Sequence, residues 1–308
     1  MSQGLDPATI ILAIESHDHG GEGELTATLH NNSIIVTGEV TGMTQGLVLE
    51  NGEFPVIVQA QLSGNPAGGE ALITSNSWLF IADGAEIFTI GRAIEAYDVM
   101  MAGGLIVAAE AIIAAERISI NGGTVNGSLR LTNPLAQLSI SSNAQVNAYS
   151  IEANWHVDIT ENAQVAVENL AGLANTIVYI AQTAETNFED RLSNFILRMG
   201  DGVDMVVGTV TLDHGEFTVG LGQTLYIPEG AKLTIGESEF SLNGGVIIVD
   251  GTLVLPDGVD LSAWEGYVTG ENAGELAGDW TNTQPWHQGL PRWIQWVLRW
   301  IFFGWAWM

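Results

Sequence analysis

The sequence predicts an all-β protein of the parallel β-helix or β-solenoid class, with one inserted amphipathic helix and a Trp-rich C-terminal helix. Three observations support this prediction. A turn motif recurs along the 308 residues, short runs between the turns alternate apolar and polar side chains, and 37 glycines accompany 46% apolar residues. A chain this apolar is expected to fold, because disordered segments combine low hydrophobicity with high net charge.

The repeated turn consists of a small or polar residue, a glycine or asparagine, two variable positions and an aliphatic residue. Copies of the turn start at Asp83, Ala102, Asn121, Ser142, Glu161, Asp201, Asp213, Glu229, Asn243 and Asp257. Spacings of 19–21 residues early in the chain and 14 near its end predict coils of about 14–21 residues. Glycine and asparagine tolerate a left-handed backbone, so Asn143 and Asn162 are expected to adopt one.

Short strands are predicted between the turns. Gln137–Ile140 and Lys232–Ile235 alternate apolar and polar residues, a period of two that is typical of a strand with one buried face. A turn and a few such strands form one coil, and each coil covers the apolar face of the coil before it. This register places Val125, Val146 and Val165 in the core. A β-sandwich is the main alternative, but its turns would recur about every 8–12 residues.

Two segments carry helical signals. Val107–Arg117 is rich in alanine, but it lies between two in-phase turns, and we predict a strand there. In residues 183–200, Thr186 and Glu189 form a capping-box pattern, apolar residues follow at helical spacing, and Gly200 ends the pattern. This segment is predicted to be an amphipathic helix that packs on the solenoid or marks the joint between two stacked blocks.

These elements divide the chain into six regions. The regions are an N-terminal cap with early coils (1–79), a first solenoid block (80–182), the amphipathic helix (183–200), a second solenoid block (201–262), a linker (263–291) and the C-terminal segment (292–308). A cap is expected because the open end of a solenoid exposes an unpaired strand edge.

Composition excludes several classes of function. Eight basic residues against 36 acidic ones give a net charge of −28, which repels phosphate backbones and excludes a nucleic-acid partner. The absence of cysteine excludes disulfides and thiolate chemistry.

The N-terminus lacks the basic region of a signal peptide, whereas scarce lysine and abundant glycine, asparagine and threonine resemble exposed surface proteins. A cell-surface or envelope location without an N-terminal signal peptide is therefore favoured, and lysine depletion also suits a high-salt environment.

Two pairs of carboxylates are weak candidates for a metal site. Asp201 with Asp204, and Asp257 with Asp260, occur in the string Asp-Gly-Val-Asp, and carboxylates at this spacing could bind Ca²⁺. Both strings fall at the repeated turn, where aspartate and glycine suit the backbone. Turn formation is therefore the favoured interpretation.

No catalytic residue, metal or cofactor is predicted. His17 and His19 flank Asp18 at a spacing that could ligate a metal ion, but the glycines that follow favour an exposed loop. His156, beside Trp155, lacks a partner in motif spacing. Acidic residues are spread evenly along the chain rather than clustered on one strand face, as acid–base cleavage of a carbohydrate requires.

The C-terminal stretch differs in composition from the rest of the chain. Residues 280–308 contain seven of the ten tryptophans, no acidic residue and a charge of +2, whereas residues 1–279 carry −30.

A helix over 293–308 would be roughly 24 Å long, shorter than the roughly 30 Å hydrocarbon core of a bilayer. Shallow insertion at the membrane interface, where tryptophan is enriched, is favoured. Binding to a partner protein or a second copy, and capping of the last coil, are the alternatives. The predicted membrane or partner contacts are Trp286, Arg292, Trp293, Trp296, Arg299, Trp300, Phe302, Phe303, Trp305 and Trp307.

The repeat block, from about residue 80 to 261, resembles the parallel β-helix of bacterial surface adhesins and of bactofilins, which are polymer-forming cytoskeletal proteins. The residues that carry the resemblance are the turns at Gly84, Gly103, Gly122, Asn143, Asn162, Gly230, Gly244 and Gly258, with their aliphatic residues. The resemblance implies end-to-end self-association and attachment to a membrane, and it implies no catalytic residues.

The favoured function is a non-enzymatic structural or adhesive solenoid, held at a membrane, envelope or assembly surface by its C-terminal tail. Its expected partner is therefore a membrane interface or a protein, together with further copies of itself. One alternative is a polysaccharide-active β-helix enzyme, which a groove of clustered acids and aromatics along one face would favour. A phage or virus fibre component, which would form trimers, is the other.

Overall fold

The computed structural model consists of stacked parallel coils that form a β-solenoid of about nine turns, with a single α-helix among the described residues. The predicted fold class is therefore confirmed. The structure describes residues 6–50, 54–181, 183–199, 204–207, 210–212, 216–227, 229–236, 239–255 and 265–270.

Most of the described chain is extended. The elements are α1 (Pro7–Glu15), β1 (Glu22–His30), β2 (Ser33–Met43), β3 (Leu47–Leu49), β4 (Val56–Val58), β5 (Gln61–Gly64), β6 (Ala71–Ile81), β7 (Glu86–Phe88), β8 (Arg92–Met101), β9 (Leu105–Ile120), β10 (Thr124–Leu131), β11 (Gln137–Ile140), β12 (Gln145–Ala153), β13 (His156–Ile159), β14 (Gln164–Ile180), β15 (Glu185–Met199), β16 (Asp204–Val207), β17 (Val210–Leu212), β18 (Glu216–Gly220), β19 (Thr224–Ile227), β20 (Lys232–Ile235), β21 (Glu239–Val249), β22 (Thr252–Val254) and β23 (Glu265–Thr269). A 3-10 turn at Ala67–Gly69 connects β5 to β6.

A column of aliphatic residues forms the centre of the coils from β2 to β14, which together form the first block of the structure. Each residue in this column pairs in parallel register with the equivalent residue of the next coil, and each is at most 1% exposed. The column consists of Ile34, Val56, Leu79, Val99, Ile118, Leu138, Val157 and Val178. Because neighbouring strands lie about 4.8 Å apart, every coil buries the apolar side of its neighbour.

Coils are longer than the 14-residue spacing of the last turns. Partners in the first column are separated by 19–23 residues. In the second block, Leu225 pairs with Ile247 and Ile247 with Val268, which gives coils of similar length. Gly244 pairs with Gly220 and not with Gly230, so the 14-residue spacing joins two different corners of the solenoid and is not a coil length.

Each coil of the first block bends twice between three short strand segments. In β9, Leu105–Val107 pairs with β7, and two later segments, starting at Glu110 and Arg117, pair with β8. A register shift between Ala96 and Asp98 of β8 marks one of the bends. The alanine-rich Val107–Arg117 is therefore extended, as predicted, because its backbone groups bond to the neighbouring coils.

The predicted core register is confirmed, and one prediction about the turns is wrong. Val125, Val146 and Val165 stack on one another and are at most 2% exposed. In the turns between coils, however, the left-handed residues are Ser142 and Glu161, with φ of 58° and 54°. Asn143 and Asn162, which were expected to take this conformation, follow them by one position.

The predicted amphipathic helix at 183–200 is wrong. These residues form β15, which pairs in parallel with β14 from Gln164 to Ile180. Leu197 and Met199 occupy the register positions of Val178 and Ile180, two core residues of the preceding coil. Pairing with a coil already in place satisfies the backbone along the whole segment, and this outweighs the local helical pattern.

The joint between the two blocks is a pair of antiparallel strands. After β15 the chain reverses, so that Met199 lies opposite Asp204 and Ile196 lies opposite Val207 of β16. From β16 onward, parallel pairing resumes through β19 and β21 to β23. Because β23 spans Glu265–Thr269, part of the predicted linker 263–291 belongs to the solenoid. The predicted C-terminal helix at 292–308 lies outside the described residues.

The N-terminal end is built differently from the coils. The antiparallel hairpin of β1 and β2 precedes the first parallel pairing, and α1 packs beside it. Ile10 and Ile14 of α1 are buried and belong to the same apolar cluster as the central column. The helix therefore extends the core to the N-terminal side of the first coil.

Candidate functional site

One side of the first block carries aromatic and charged side chains that alternate with core residues. Trp78, Asp98 and Arg117 occupy one register position in three successive coils. Each directly precedes a residue of the buried column, so the period of two along a strand turns these side chains outward. We call this surface the aromatic face. In the strand registers it comprises Trp78, Phe80, Asp98, Arg117, Gln137, His156, Asp158 and Tyr179. It also includes Tyr97, Glu116 and Trp155 at the adjoining bend, where Tyr97 bonds to Glu116 and Trp155 lies beside His156.

Arg117 is held in a fixed position on this face. Its Nε and Nη2 atoms donate to Oδ1 and Oδ2 of Asp98 at 3.2 and 2.7 Å, and its guanidinium carbon lies 5.9 Å from the centre of the Trp78 ring. The hydrogen bond to Asp98 raises the pKa of Arg117. A bidentate ion pair combined with a cation–π contact orients the guanidinium group, and Asp98 is only 7% exposed beneath it.

A second polar group lies at the bend beside this pair. Asn133 Nδ2 donates to Glu116 Oε1 at 2.7 Å, which links two neighbouring coils. The negative charge of Glu116 raises the pKa of the Tyr97 hydroxyl, with smaller contributions from desolvation, a hydrogen bond to Glu116 and the charge of Asp98. Tyr97 therefore keeps its proton at neutral pH and donates its hydrogen bond to Glu116.

Further along the same face, Trp155 precedes a histidine–carboxylate pair. His156 Nε2 lies 2.9 Å from Asp158 Oδ1, because residues two apart in β13 share one side of the strand. The rings of Trp155 and His156 are 6.1 Å apart between centroids. The sequence motifs had given His156 no partner, and the strand geometry supplies one.

A neighbouring side of the solenoid carries ion pairs that join its coils. Glu110 accepts from Arg92 Nε at 2.6 Å and lies 3.3 Å from Arg130 Nη1, so it connects three coils. Arg92 also lies 3.8 Å from Glu95 in its own coil. All four side chains are about one-third to one-half exposed, so solvent screens each pair and its contribution to stability is small. This network is structural in character.

The prediction of an exposed loop at the N-terminal histidines is wrong for His19. This residue is 8% exposed, and its Nδ1 atom has no hydrogen-bond partner. The ring of His17 lies 4.6 Å away between centroids, and His17 Nε2 contacts the carbonyl oxygen of Gly46 at 3.0 Å. Burial lowers the pKa of His19, the charge of His17 lowers it further, and Asp18 opposes both effects. Within the described residues, no three histidine, aspartate or glutamate side chains are placed to hold a metal ion.

Most residues that the sequence nominated for a site lie outside the described residues. They are Asp201, Asp257, Asp260, Trp286, Arg292, Trp293, Trp296, Arg299, Trp300, Phe302, Phe303, Trp305 and Trp307. The backbone of Asp204 begins strand β16, and its pairing to Thr224 continues the sheet. In the part of the chain that the structure describes, no helix is long and apolar enough to cross a membrane.

The aromatic face is not predicted by any local motif. Trp78, Asp98 and Arg117 are separated by 20 and 19 residues, which equals one coil each. A search for catalytic motifs does not detect this arrangement. Aligning the sequence coil by coil would have predicted that the three residues are neighbours. Tyr97 and Trp155 lie at bends, where a period of two breaks down.

Fold and surface together define a parallel β-solenoid with an aromatic, charge-paired face. No family model, curated protein or solved structure matches the chain. Its function is therefore inferred from its own geometry.

Proposed function

We propose that this protein is a non-enzymatic structural or adhesive β-solenoid, held at a membrane, envelope or assembly surface by its C-terminal tail. The observation that carries the proposal is the uninterrupted aliphatic column from Ile34 to Val178. Its seven coil steps extend roughly 34 Å at about 4.8 Å per step. A core of this kind stabilises a stiff repeat unit whose outer faces remain available for contacts.

Hydrogen bonds between coils support a structural role. Asn147 Nδ2 donates to Asn126 Oδ1 at 2.9 Å, and Ser142 Oγ donates to Glu161 Oε2 at 2.8 Å. Each bond joins equivalent positions of adjacent coils. Polar side chains that bond along the stack in this way resist separation of the coils, in addition to the backbone ladders.

Placement of the carboxylates favours binding over catalysis. Glycoside cleavage uses two carboxyl groups about 5–10 Å apart on either side of the bond. On the aromatic face each of the three carboxylates has a partner: Asp98 is paired with Arg117, Asp158 with His156, and Glu116 accepts from Asn133. Three coil steps separate the two aspartates, which is roughly 14 Å along the stack.

The composition of residues 280–308 supports attachment through the tail. Seven tryptophans and a charge of +2 contrast with −30 on the remainder of the chain. Tryptophan is enriched at the boundary between lipid headgroups and acyl chains, and each arginine adds about 1 kcal/mol near an anionic surface. The same apolar segment could instead attach one copy of the protein to another.

The test compares the full chain with a chain that ends at Asp279. We expect both to show the same β-sheet circular dichroism, and only the full chain to float with liposomes in a density gradient. Full-length protein with Trp296→Ser, Trp300→Ser and Phe303→Ser is the matched control, which should lose flotation while it keeps the tail's length and charge.

Two outcomes would count against attachment to lipid by the tail. If the full chain forms a stoichiometric assembly without lipid and truncation dissolves it, the tail is a protein-binding segment. If truncation abolishes the β-sheet signal, the tail is part of the fold, and the proposal fails.

A further inference from the structure

The described aromatic side chains are distributed unevenly over the first block, and the largest exposed rings lie on the aromatic face. Trp78, Tyr97 and Trp155 are 56%, 46% and 47% exposed. Large aromatic rings contribute much of the energy of an interface when they become covered. Three such rings along one side of the stack, from the coil of Trp78 to that of Trp155, indicate an extended surface on which a ligand docks.

Polar groups between these rings are fixed before any ligand arrives. Arg117 is held by Asp98 through two hydrogen bonds, Glu116 is held by Asn133, and His156 is held by Asp158. Groups that are already ordered lose little conformational entropy on binding. Rings that alternate with oriented donors and acceptors suit a ligand with both apolar C–H surfaces and hydroxyl groups, which is the chemistry of a sugar ring.

Charge on the face favours a neutral ligand. The positive charge of Arg117 compensates Asp98 across a 2.7 Å contact, whereas Glu116 accepts from the neutral amide of Asn133 and Asp158 lies beside the imidazole of His156. The protein as a whole carries −28, so its field repels anionic polymers such as uronic-acid chains and nucleic acids. The face, which has more carboxylates than cations, is therefore not arranged to attract an anionic partner.

Spacing on the face favours a linear polymer. Successive coils present equivalent positions about 4.8 Å apart, which is close to the length of one hexose unit in an extended chain. Trp78 and Trp155 lie about four coil steps apart, roughly 19 Å along the stack. An extended sugar chain that lies parallel to the stack can therefore contact both rings and the polar groups between them.

We propose that the aromatic face binds a neutral polysaccharide that lies along the stack of coils, with sugar rings against Trp78, Tyr97 and Trp155 and hydroxyl groups on Arg117 and His156. This inference deepens the proposed function and depends on its adhesive aspect, because it names the polymer to which the solenoid adheres.

The test is affinity electrophoresis of the full chain in native gels that contain one polysaccharide each. The neutral probes are hydroxyethyl cellulose, mixed-linkage β-glucan, glucomannan and dextran, and the anionic probes are alginate and polygalacturonate. We expect retardation by at least one neutral probe and none by the anionic probes. Trp78→Ala and Trp155→Ala should each weaken the apparent affinity about tenfold, the size expected for loss of one stacked ring.

Matched variants separate the face from the rest of the surface. Tyr97→Ala should weaken binding, whereas Tyr149→Ala should not, because Tyr149 is 66% exposed but lies away from the aromatic face. Circular dichroism of every variant confirms that the solenoid is intact. Since Trp78 also contacts Arg117, Trp155→Ala and Tyr97→Ala keep the test decisive if Trp78→Ala fails to fold.

Several outcomes would overturn the inference. They are no retardation of the folded protein by any neutral probe, equal retardation of wild type and all three face variants, a preference for the anionic probes, or binding to neutral liposomes that the face variants lose. These results are distinguishable from failure of the tail, which removes flotation and leaves retardation intact. Release of reducing ends from a retarding probe would support the binding face and refute the non-enzymatic function.

Discussion

Ser142 and Glu161 show what a single turn position contributes to this solenoid. Both hold left-handed backbones in turns where earlier coils place glycine, as at Gly104 and Gly123. A side chain in this conformation costs roughly 1–2 kcal/mol, and the two residues recover part of that cost through the hydrogen bond between them. The register is thus maintained by stacking even where the local residue disfavours the turn.

The first prediction concerns the core register. Val146→Asp places an uncompensated carboxylate at a position that is 0% exposed, and we expect the free energy of unfolding to fall by about 4 kcal/mol or more. Gln145→Asp adds the same charge at the adjacent, exposed position and should change stability by about 0.5 kcal/mol. Urea denaturation followed by circular dichroism measures both, and a Val146→Asp protein as stable as Gln145→Asp would refute the register.

A second prediction follows from the buried His19. Its lowered pKa means that the unfolded chain binds a proton more readily than the folded one, so stability is complete above about pH 6.5. Stability should fall as the pH decreases below that value and level off once the pH passes the lowered pKa of the folded state. The titratable and charged neighbours that set this shift are His17 and Asp18.

Melting temperatures between pH 7.5 and 5 test this expectation. In His19→Gln, the difference in melting temperature between pH 7.5 and pH 5 should become smaller. His30→Gln, at an exposed position of the hairpin, should keep the difference seen in the wild type. An unchanged pH profile in His19→Gln would show that burial of this imidazole does not contribute to the pH dependence.

At the scale of elements, the turns and alternating strands were predictable because each depends on residues close in sequence. Residues 183–200 were not, because their apolar spacing fits a helix locally, while the preceding coil offers Val178 and Ile180 as a template. The aromatic face was not predictable from the sequence for a related reason. Trp78 and Arg117 come together only because the coils stack, and no local pattern in the sequence specifies how the bends of one coil align with those of the next.

The third prediction concerns α1 as the element at the N-terminal end of the stack. Ile14→Asp introduces a charge at a side chain that is 2% exposed, and it should detach the helix from the first coil. An uncovered solenoid end pairs readily with other edges, so we expect concentration-dependent association in analytical ultracentrifugation. Leu12→Asp, at a 64% exposed position of the same helix, should remain unchanged. Identical sedimentation of the two variants would show that α1 does not protect the end.

For the whole molecule, the dominant feature is an excess of negative charge on a repeating fold. Acidic residues number 36 and basic residues eight, and the ion pairs at Arg92, Arg117 and Arg130 lie within a few neighbouring coils. Glu216 pairs in register with Glu239 of the next coil and Glu24 with Glu39 across the N-terminal hairpin, and self-repulsion of the excess negative charge opposes the compact state. The aliphatic column must therefore outweigh an electrostatic term that depends on the solvent.

The last prediction is that salt stabilises this protein. The screening length falls from about 10 Å at 0.1 M to about 3 Å at 1 M, so repulsion between carboxylates on neighbouring coils should weaken sharply. The partly exposed ion pairs weaken as well, but solvent already screens them and their contribution is small. We expect the melting temperature to rise by about 5 °C or more between 0.05 and 1 M NaCl. Equal ionic strengths of choline chloride and KCl should give a similar rise, because screening depends on ionic strength rather than on the cation. A melting temperature that stays constant or falls would show that repulsion among the acidic residues does not limit stability, and a rise specific to one cation would indicate binding of that ion in place of general screening.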